Sequence, residues 1–491
     1  MPITVERNKW ILYKHTSSYQ LIKAVAIDVK NSCKTDISNI ERVRMQERLA
    51  AVDMYKARNP NDKPLDAINH RINTLEYYMF GYEDDSDKKR FMFSPLGNLF
   101  LKYISDEDKL VKIFTTMLYA IQFQHPASGT DKEFQLYPFR LIFKLLLDER
   151  LDGKLYNYEY AQILAFVTSV DENIYEMLVE RILDLRNKSV NEIKANYKSD
   201  EHTYVNAVYE WEYYTCKLLS AVGILNVEKG DPICKLFHPK KTGSKSLPTG
   251  RIARNGYVTL NGSIIKYVEK LLSAYSFAQE PLKLDDPERM KMDVVKEIYN
   301  FYPTILMDEI GENDELSSLL ELPKLIETYS NNPDNDTAYL FEKVLAEGFD
   351  MFYNVDTKRI GGAGHTDIEC LYITKKKKFA VESKSTANKL IGINVGRLRE
   401  HREEIGGEYT IVVTPRYVPA AKRDIKGSQI VIILASTFAE YLYNHIFHDV
   451  RNIDYADFDN IIVDHLGEDV SEFISNMTMS KFAANSCGNR C

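Results

Sequence analysis

Residues 361–385 read GGAGHTDIECLYITKKKKFAVESKS. A glycine-rich turn leads into Asp367 and a strand-like run, IECLYI. Four lysines then make a charged hairpin turn, and a second run delivers Glu382, Ser383 and Lys384. Side chains alternate along a strand, so Ala380, Glu382 and Lys384 point one way, and Val381 and Ser383 the other. If the runs pair as a hairpin, Asp367 lies across from Glu382 and Lys384. Two carboxylates and one ammonium then converge.

The flanks extend the pattern. AYLFEKVLAEGFDMFYN, just upstream, is an amphipathic helix with Leu340, Phe341, Val344 and Leu345 on its buried face and Glu342 on an adjoining one. Downstream, LIGINVGRLREHREEIG reads as a helix, EYTIVVTPRY and SQIVIILAST as apolar strands, and TFAEYLYNHIF as a closing helix. Two acids at a strand crossing suit Mg²⁺, which takes one or two carboxylates plus water and phosphate oxygens; Mn²⁺ or Ca²⁺ are its expected substitutes. Such a site cleaves phosphodiesters, with Asp367 and Glu382 as metal ligands. Lys384 orients or helps deprotonate the water and offsets developing charge, and Glu342 serves as an outer partner. The competing reading is an ion-paired surface hairpin. KKKK itself reads as a solvated cap on the hairpin, with a phosphate contact as the second reading. The order helix–strand–hairpin–strand–helix–strand–strand–helix is similar to the PD-(D/E)xK nuclease core.

The whole chain sets bounds. At 491 residues it is too long for one ordinary core. Hydrophobic residues make up 44% and charged residues 27%, as in water-soluble globular proteins. No apolar run approaches the roughly 18 residues of a membrane span, and the first residues lack a signal-peptide core. The six cysteines form no paired C-x-x-C motifs, so a reducing cytoplasm is expected rather than a zinc site. A net charge of −8 excludes a uniformly basic nucleic-acid binder but not local basic patches.

From about 108 to 225 the spacing is mainly helical, as in KLVKIFTTMLYAIQF, FRLIFKLLLDERL and YEMLVERILDLR. VNAVYEWEYYTCKLLSAVGIL reads as one helix ending near Gly223, its YEWEYY segment serving packing. His125, beside Pro126, reads as a turn or packing residue. Short β-like runs follow, and between 239 and 270 lie Lys240, Lys241, Lys245, Arg251, Arg254, Lys266 and Lys270 against the single acid Glu269. Two readings stand for this segment: the basic hairpin of a winged-helix module lying along phosphates, or a solvated loop beside a helical domain. Arg397, Arg399 and Arg402 likewise either track phosphates or pair with Glu403 and its neighbours. His365 reads as a solvent-exposed loop histidine. Expected divisions are residues 1–150 and 151–280 for recognition, 281–337 as a helical linker and 338–491 as the nuclease domain.

FMFSPLGNLFLKY (91–103), IQFQHPASG (121–129) followed by LYPFRLIFKLLL (136–147), and YNYEYAQILAFV (156–167), ahead of the basic segment and the nuclease-like third, together resemble type IIS restriction endonucleases of the AlwI-like and FokI-like kind. The resemblance spans roughly residues 90–480. It implies a mostly α-helical N-terminal region with winged-helix-like DNA recognition, and a C-terminal α/β nuclease core with a central mixed sheet. It further implies Mg²⁺-dependent cleavage of double-stranded DNA at a fixed offset from an asymmetric site. The protein would be a monomer that dimerises transiently through its nuclease domain for double-strand cuts, and a nicking enzyme without that step. By position, Asp367 matches the family's metal-binding acid, Glu382 the second acid and Lys384 the lysine, with Glu342 a loose match. Thr366 stands where some members carry proline. The alternatives are a structure-specific repair or recombination nuclease, and a DNA-binding protein with an inert nuclease-like domain.

Overall fold

The computed structural model describes residues 7–13, 16–32, 37–54, 64–83, 90–238, 249–287, 289, 291–311, 315–332, 337–360, 365–448, 450 and 452–485. The chain forms two compact units, one of residues 1–284 with 298–310, the other of residues 285–297 with 311–491.

In the second unit the hairpin forms as its alternation requires. Ile368–Tyr372 (β2) pairs antiparallel with Lys377–Ser383 (β3), in a register that sets Cys370 opposite Phe379 and Ile368 opposite Val381. Those four side chains are buried in one core cluster. The sheet has five strands. Val355–Arg359 (β1) forms the edge beside β2, and Thr410–Thr414 (β4) and Ile430–Leu434 (β5) follow β3 in parallel. Antiparallel on one side of β3 and parallel on the other, the sheet is mixed, as expected. Strands β4 and β5 are buried along their whole length, which is why TIVVT and IVIIL read as continuous apolar runs.

Helices cover both faces. Glu315–Asn331 (α1), Ala338–Asp350 (α2), Ala435–Phe447 (α5), Ala456–Asp464 (α6) and Ser471–Asn485 (α7) contribute to the larger cluster, in which Phe349 stacks on Phe438 at 4.7 Å and Phe379 on Tyr455 at 4.9 Å. Val395–Glu404 (α3) and Pro419–Asp424 (α4) close the other face through Leu398, Ala421, Val412, Ile430 and Ile432. Val412 pairs with Glu382, so Glu382 projects toward the α3 side.

Four details differ from the sequence reading. β1 was not anticipated, because VDTKR buries only Val355 and carries no apolar alternation. Asp367 lies one residue ahead of β2, not within it. Leu340 is partly exposed while Phe341, Val344 and Leu345 are buried. Finally, α5 does not close the fold, since α6 and α7 add Phe458, Ile462 and Ile474 to the core.

In the first unit, strand Phe91–Phe93 runs into helix Pro95–Lys102, where Ser94 Oγ accepts the Gly97 N–H at 2.9 Å. His125 is buried, and its Nδ1 accepts the Ala127 N–H at 3.1 Å, a turn role as expected. The expected single helix from Val205 to near Gly223 is instead Glu201–Glu210, a π turn at Trp211–Thr215 and Cys216–Val222, with Gly223 left-handed at φ 94°. The π turn keeps Trp211 stacked on Tyr160 at 4.3 Å, consistent with packing. Among the described residues four short strands follow, including the antiparallel pair Pro232–Phe237 and Gly250–Arg254, and then helix Ile265–Ala274.

Glu212, in the π turn, is pushed up to about 8 by burial, opposed by the Arg254 N–H and its charge. A raised folded value stabilises fully below the ordinary value of 4.5 and is lost as pH climbs toward about 8. Thermal melts across that interval should show the parent losing stability relative to Glu212→Gln. Parallel pH profiles would remove the burial argument.

Candidate active site

The site lies where β3 ends. Asp367 Oδ2 accepts two hydrogen bonds from Ser383, from N–H at 2.7 Å and from the hydroxyl at 2.9 Å. The preceding residue, Thr366, is buried and donates its hydroxyl to the Val381 carbonyl at 3.3 Å. These bonds cross the hairpin and pin the acid where β2 begins. Burial pushes the Asp367 carboxyl above its usual range, as does the charge of Glu382. Lys384 and the Ser383 donors pull the other way.

Glu382 is almost sealed off, and its Oε2 accepts from Lys384 Nζ at 2.9 Å. This bond places Glu382 and Lys384 on the shared face that strand alternation predicts. Lys384 continues the ladder beyond β3, its N–H donating to the Val413 carbonyl at 2.9 Å. Its side chain is 34% exposed, so the ammonium reaches solvent while its partner carboxylate does not. Glu342, on α2, pairs with Arg359 at 3.7 Å. Its carboxyl is raised first by burial and then by Asp367, and lowered by Arg359 and Lys384. Asp367, Glu382, Glu342 and Lys384 thus share one electrostatic neighbourhood.

The donor set fits a hard divalent cation. Among the described residues no group of three or more His, Cys, Asp or Glu side chains could hold an ion alone. The candidates are the two carboxylates of Asp367 and Glu382, the number Mg²⁺ takes when water and phosphate complete its shell. Asp367 Oδ1 accepts no hydrogen bond among the described residues, and the two acids repel across a desolvated space. Both Glu382 oxygens already accept a hydrogen bond, but a carboxylate oxygen has two lone pairs, so each retains one.

Sequence reasoning missed His401. It is buried on α3, and its Nδ1 lies 3.0 Å from Glu382 Oε1. The one available signal was the spacing of Leu398, His401 and Arg402, which share the buried face of α3. Of the expected phosphate-tracking arginines, Arg397 and Arg399 are exposed, whereas Arg402 is buried. Arg397 Nε donates to His401 Nε2 at 3.3 Å. His365 is exposed, as expected, and pairs with Glu404 at 3.0 Å.

The lysine turn is more than a solvated cap. Lys375 and Lys377 bond the buried carboxylate of Asp459 on α6 at 2.9 Å and 3.0 Å, and Lys378 pairs with Glu369 at 2.5 Å. Burial alone would raise the Asp459 carboxyl, but the two lysines and the Tyr409 hydroxyl hold it below its usual range.

In the first unit, the Arg251 guanidinium lies over the Tyr209 ring at 4.2 Å, and Arg254 donates to the Gly230 carbonyl at 3.3 Å. Lys240, Lys241 and Lys245 lie outside the described residues. No helix among the described residues is long and apolar enough to cross a membrane.

Comparison with known proteins adds a separate line. A family profile described as the N-terminal domain of type II restriction endonuclease HgaI matches residues 5–275. The type II restriction enzyme HgaI of Avibacterium volantium is 50% identical over 476 residues, covering 96% of this chain and 97% of the relative. Among solved structures, restriction endonuclease FokI aligns at 12% identity and TM-score 0.28, over 93% of this chain and 99% of its own. The BpuJ1 endonuclease binding domain, solved with modified DNA, aligns at 16% identity and TM-score 0.35, over 60% of this chain and 95% of its own. Scores this low carry no argument here, and the family rests on the sequence matches.

Proposed function

The chain belongs to the family of the type II restriction endonuclease HgaI, and from that membership we propose a type IIS enzyme that hydrolyses DNA at a fixed distance from an asymmetric site, using Mg²⁺ at Asp367 and Glu382. The observation that carries the catalytic assignment is the meeting of Lys384 with the sealed Glu382 beside a pinned Asp367. This supports reading the second unit as a PD-(D/E)xK core. What a divalent ion supplies when bound is positive charge against phosphate oxygens and greater acidity of nearby water.

The chain's own residues supply the rest. Ser383 fixes one oxygen of Asp367 and leaves the other open. Lys384, bonded to Glu382, turns its charge toward solvent, where it offsets negative charge building on a phosphate. Glu342, balanced by Arg359, adds an outer carboxylate. Arg397 and Arg399, exposed on α3, would meet backbone phosphates. In the first unit, Arg251 and Arg254, with Lys240, Lys241 and Lys245, would set the register on the duplex by the salt-sensitive contacts of a winged-helix-like hairpin. One such site cuts one strand, so a double-strand break requires a second copy of the nuclease unit.

Plasmid digestion with and without Mg²⁺ tests this reading. Discrete fragments whose sequenced ends lie at a constant offset from one recurring site are expected. Cuts that follow junctions or flaps, or retardation without cutting, would overturn it.

A further inference from the structure

Glu382 has two partners, and only one belongs to the constellation read from the sequence. On its other side Oε1 faces His401 Nδ1 at 3.0 Å, with side chains only 2% and 4% exposed. The far nitrogen of the same ring, Nε2, accepts the Nε–H of Arg397 at 3.3 Å. An arginine can only donate, so Nε2 carries no proton in this arrangement and Nδ1 must. The Nδ1–H therefore points at the carboxylate, and both ring nitrogens are committed.

We propose that His401 is a positioning residue that holds the Glu382 carboxylate in the orientation a divalent cation requires, with Arg397 fixing the ring. The inference rests on the reading of Glu382 as a metal ligand given above. A strand-end glutamate has three side-chain torsions to restrain. Lys384 holds only one of the two oxygens, and a single contact leaves the carboxylate free to turn about it. The buried imidazole grips the other oxygen from a helix locked by Leu398 and capped by Asn394, whose side chain accepts the Arg397 N–H at 3.1 Å. One lone pair on each oxygen remains for the ion. A histidine that only filled space would not need a carboxylate on one nitrogen and a guanidinium on the other.

Binding of Mn²⁺ alone to the full chain without DNA, followed by electron paramagnetic resonance, tests this. His401→Leu should weaken Mn²⁺ binding by about 10- to 100-fold. His401→Asn, whose amide nitrogen falls near the Nδ1 position, should recover it to within about threefold, whereas His401→Gln, whose nitrogen falls near Nε2, should not. At saturating DNA the turnover number should fall and recover in the same order, with DNA affinity in EDTA constant across the set. If His401→Leu does not fold, the Asn and Gln pair decides alone. Parent-like Mn²⁺ affinity in His401→Leu, or equal affinity in Asn and Gln, overturns the proposal. Glu382→Ala separates the two levels of inference. If it keeps Mn²⁺ affinity, the metal-site reading itself fails; if it loses affinity while His401→Leu does not, only the role of His401 fails.

Discussion

Lys384→Ala will slow phosphodiester cleavage by about 1000-fold or more while leaving DNA affinity in EDTA unchanged. The size follows from where the ammonium sits. It reaches solvent with its side chain 34% exposed, yet is anchored to a carboxylate that is 2% exposed. A charge that neutralises developing phosphate charge from a preorganised position is worth several factors of ten in rate, and alanine removes it entirely. The fold should barely notice, because water replaces the lost donor at the mouth of the site and His401 still holds the other oxygen of Glu382. Single-turnover cleavage of a labelled duplex gives the rate, and gel retardation in EDTA gives the affinity. A variant keeping more than about a tenth of the parent rate would remove Lys384 from the chemistry.

The second large effect is Asp367→Asn, with a loss again on the order of 1000-fold. The substitution is chosen because it isolates charge from shape. One asparagine oxygen can still accept both Ser383 bonds, now at 2.7 Å and 2.9 Å. Its amide nitrogen replaces the open oxygen and cannot ligate a cation. Burial and Glu382 both work against a negative charge at this position. Removing that charge should therefore cost the metal-free fold nothing, and melting in EDTA is expected at or above the parent temperature. Loss of cleavage together with lost stability would mean that Asp367 is structural. Loss of cleavage with stability kept supports a ligand.

How much was legible in the sequence follows from how local each signal is. Alternation along KFAVESKS put Glu382 and Lys384 on one face, and the two residues are in hydrogen-bond contact. Ser94 and Pro95 announced a helix start through capping chemistry that needs no tertiary context. That the sheet is mixed came from the resemblance to a nuclease core, because apolar strand runs by themselves do not fix how they pair. What escaped depends on partners far along the chain. β1 is an edge strand held by pairing with β2, and its residues carry no apolar alternation to announce it. His401 lies 19 positions from Glu382, and nothing in REHRE distinguishes a ring that meets a carboxylate from one that meets water. The π turn at Trp211–Thr215 inserts a register change that a helical period hides. Lys375 and Lys377 looked like a solvated turn because their counterpart, Asp459, lies more than 80 residues downstream.

That last contact has a consequence for how the molecule holds together. The turn carrying the strand of Glu382 is riveted to a carboxylate on α6, and the Tyr409 hydroxyl bonds the same carboxylate at 2.8 Å. A helix late in the chain thereby supplies the counter-charge for a hairpin laid down much earlier. A growing chain emerging from its N-terminus would carry Glu369 for Lys378 and soon Glu408 for Lys377, but Lys375 would wait for that helix. The hairpin would then gain its last anchor only when the far end of this unit is made.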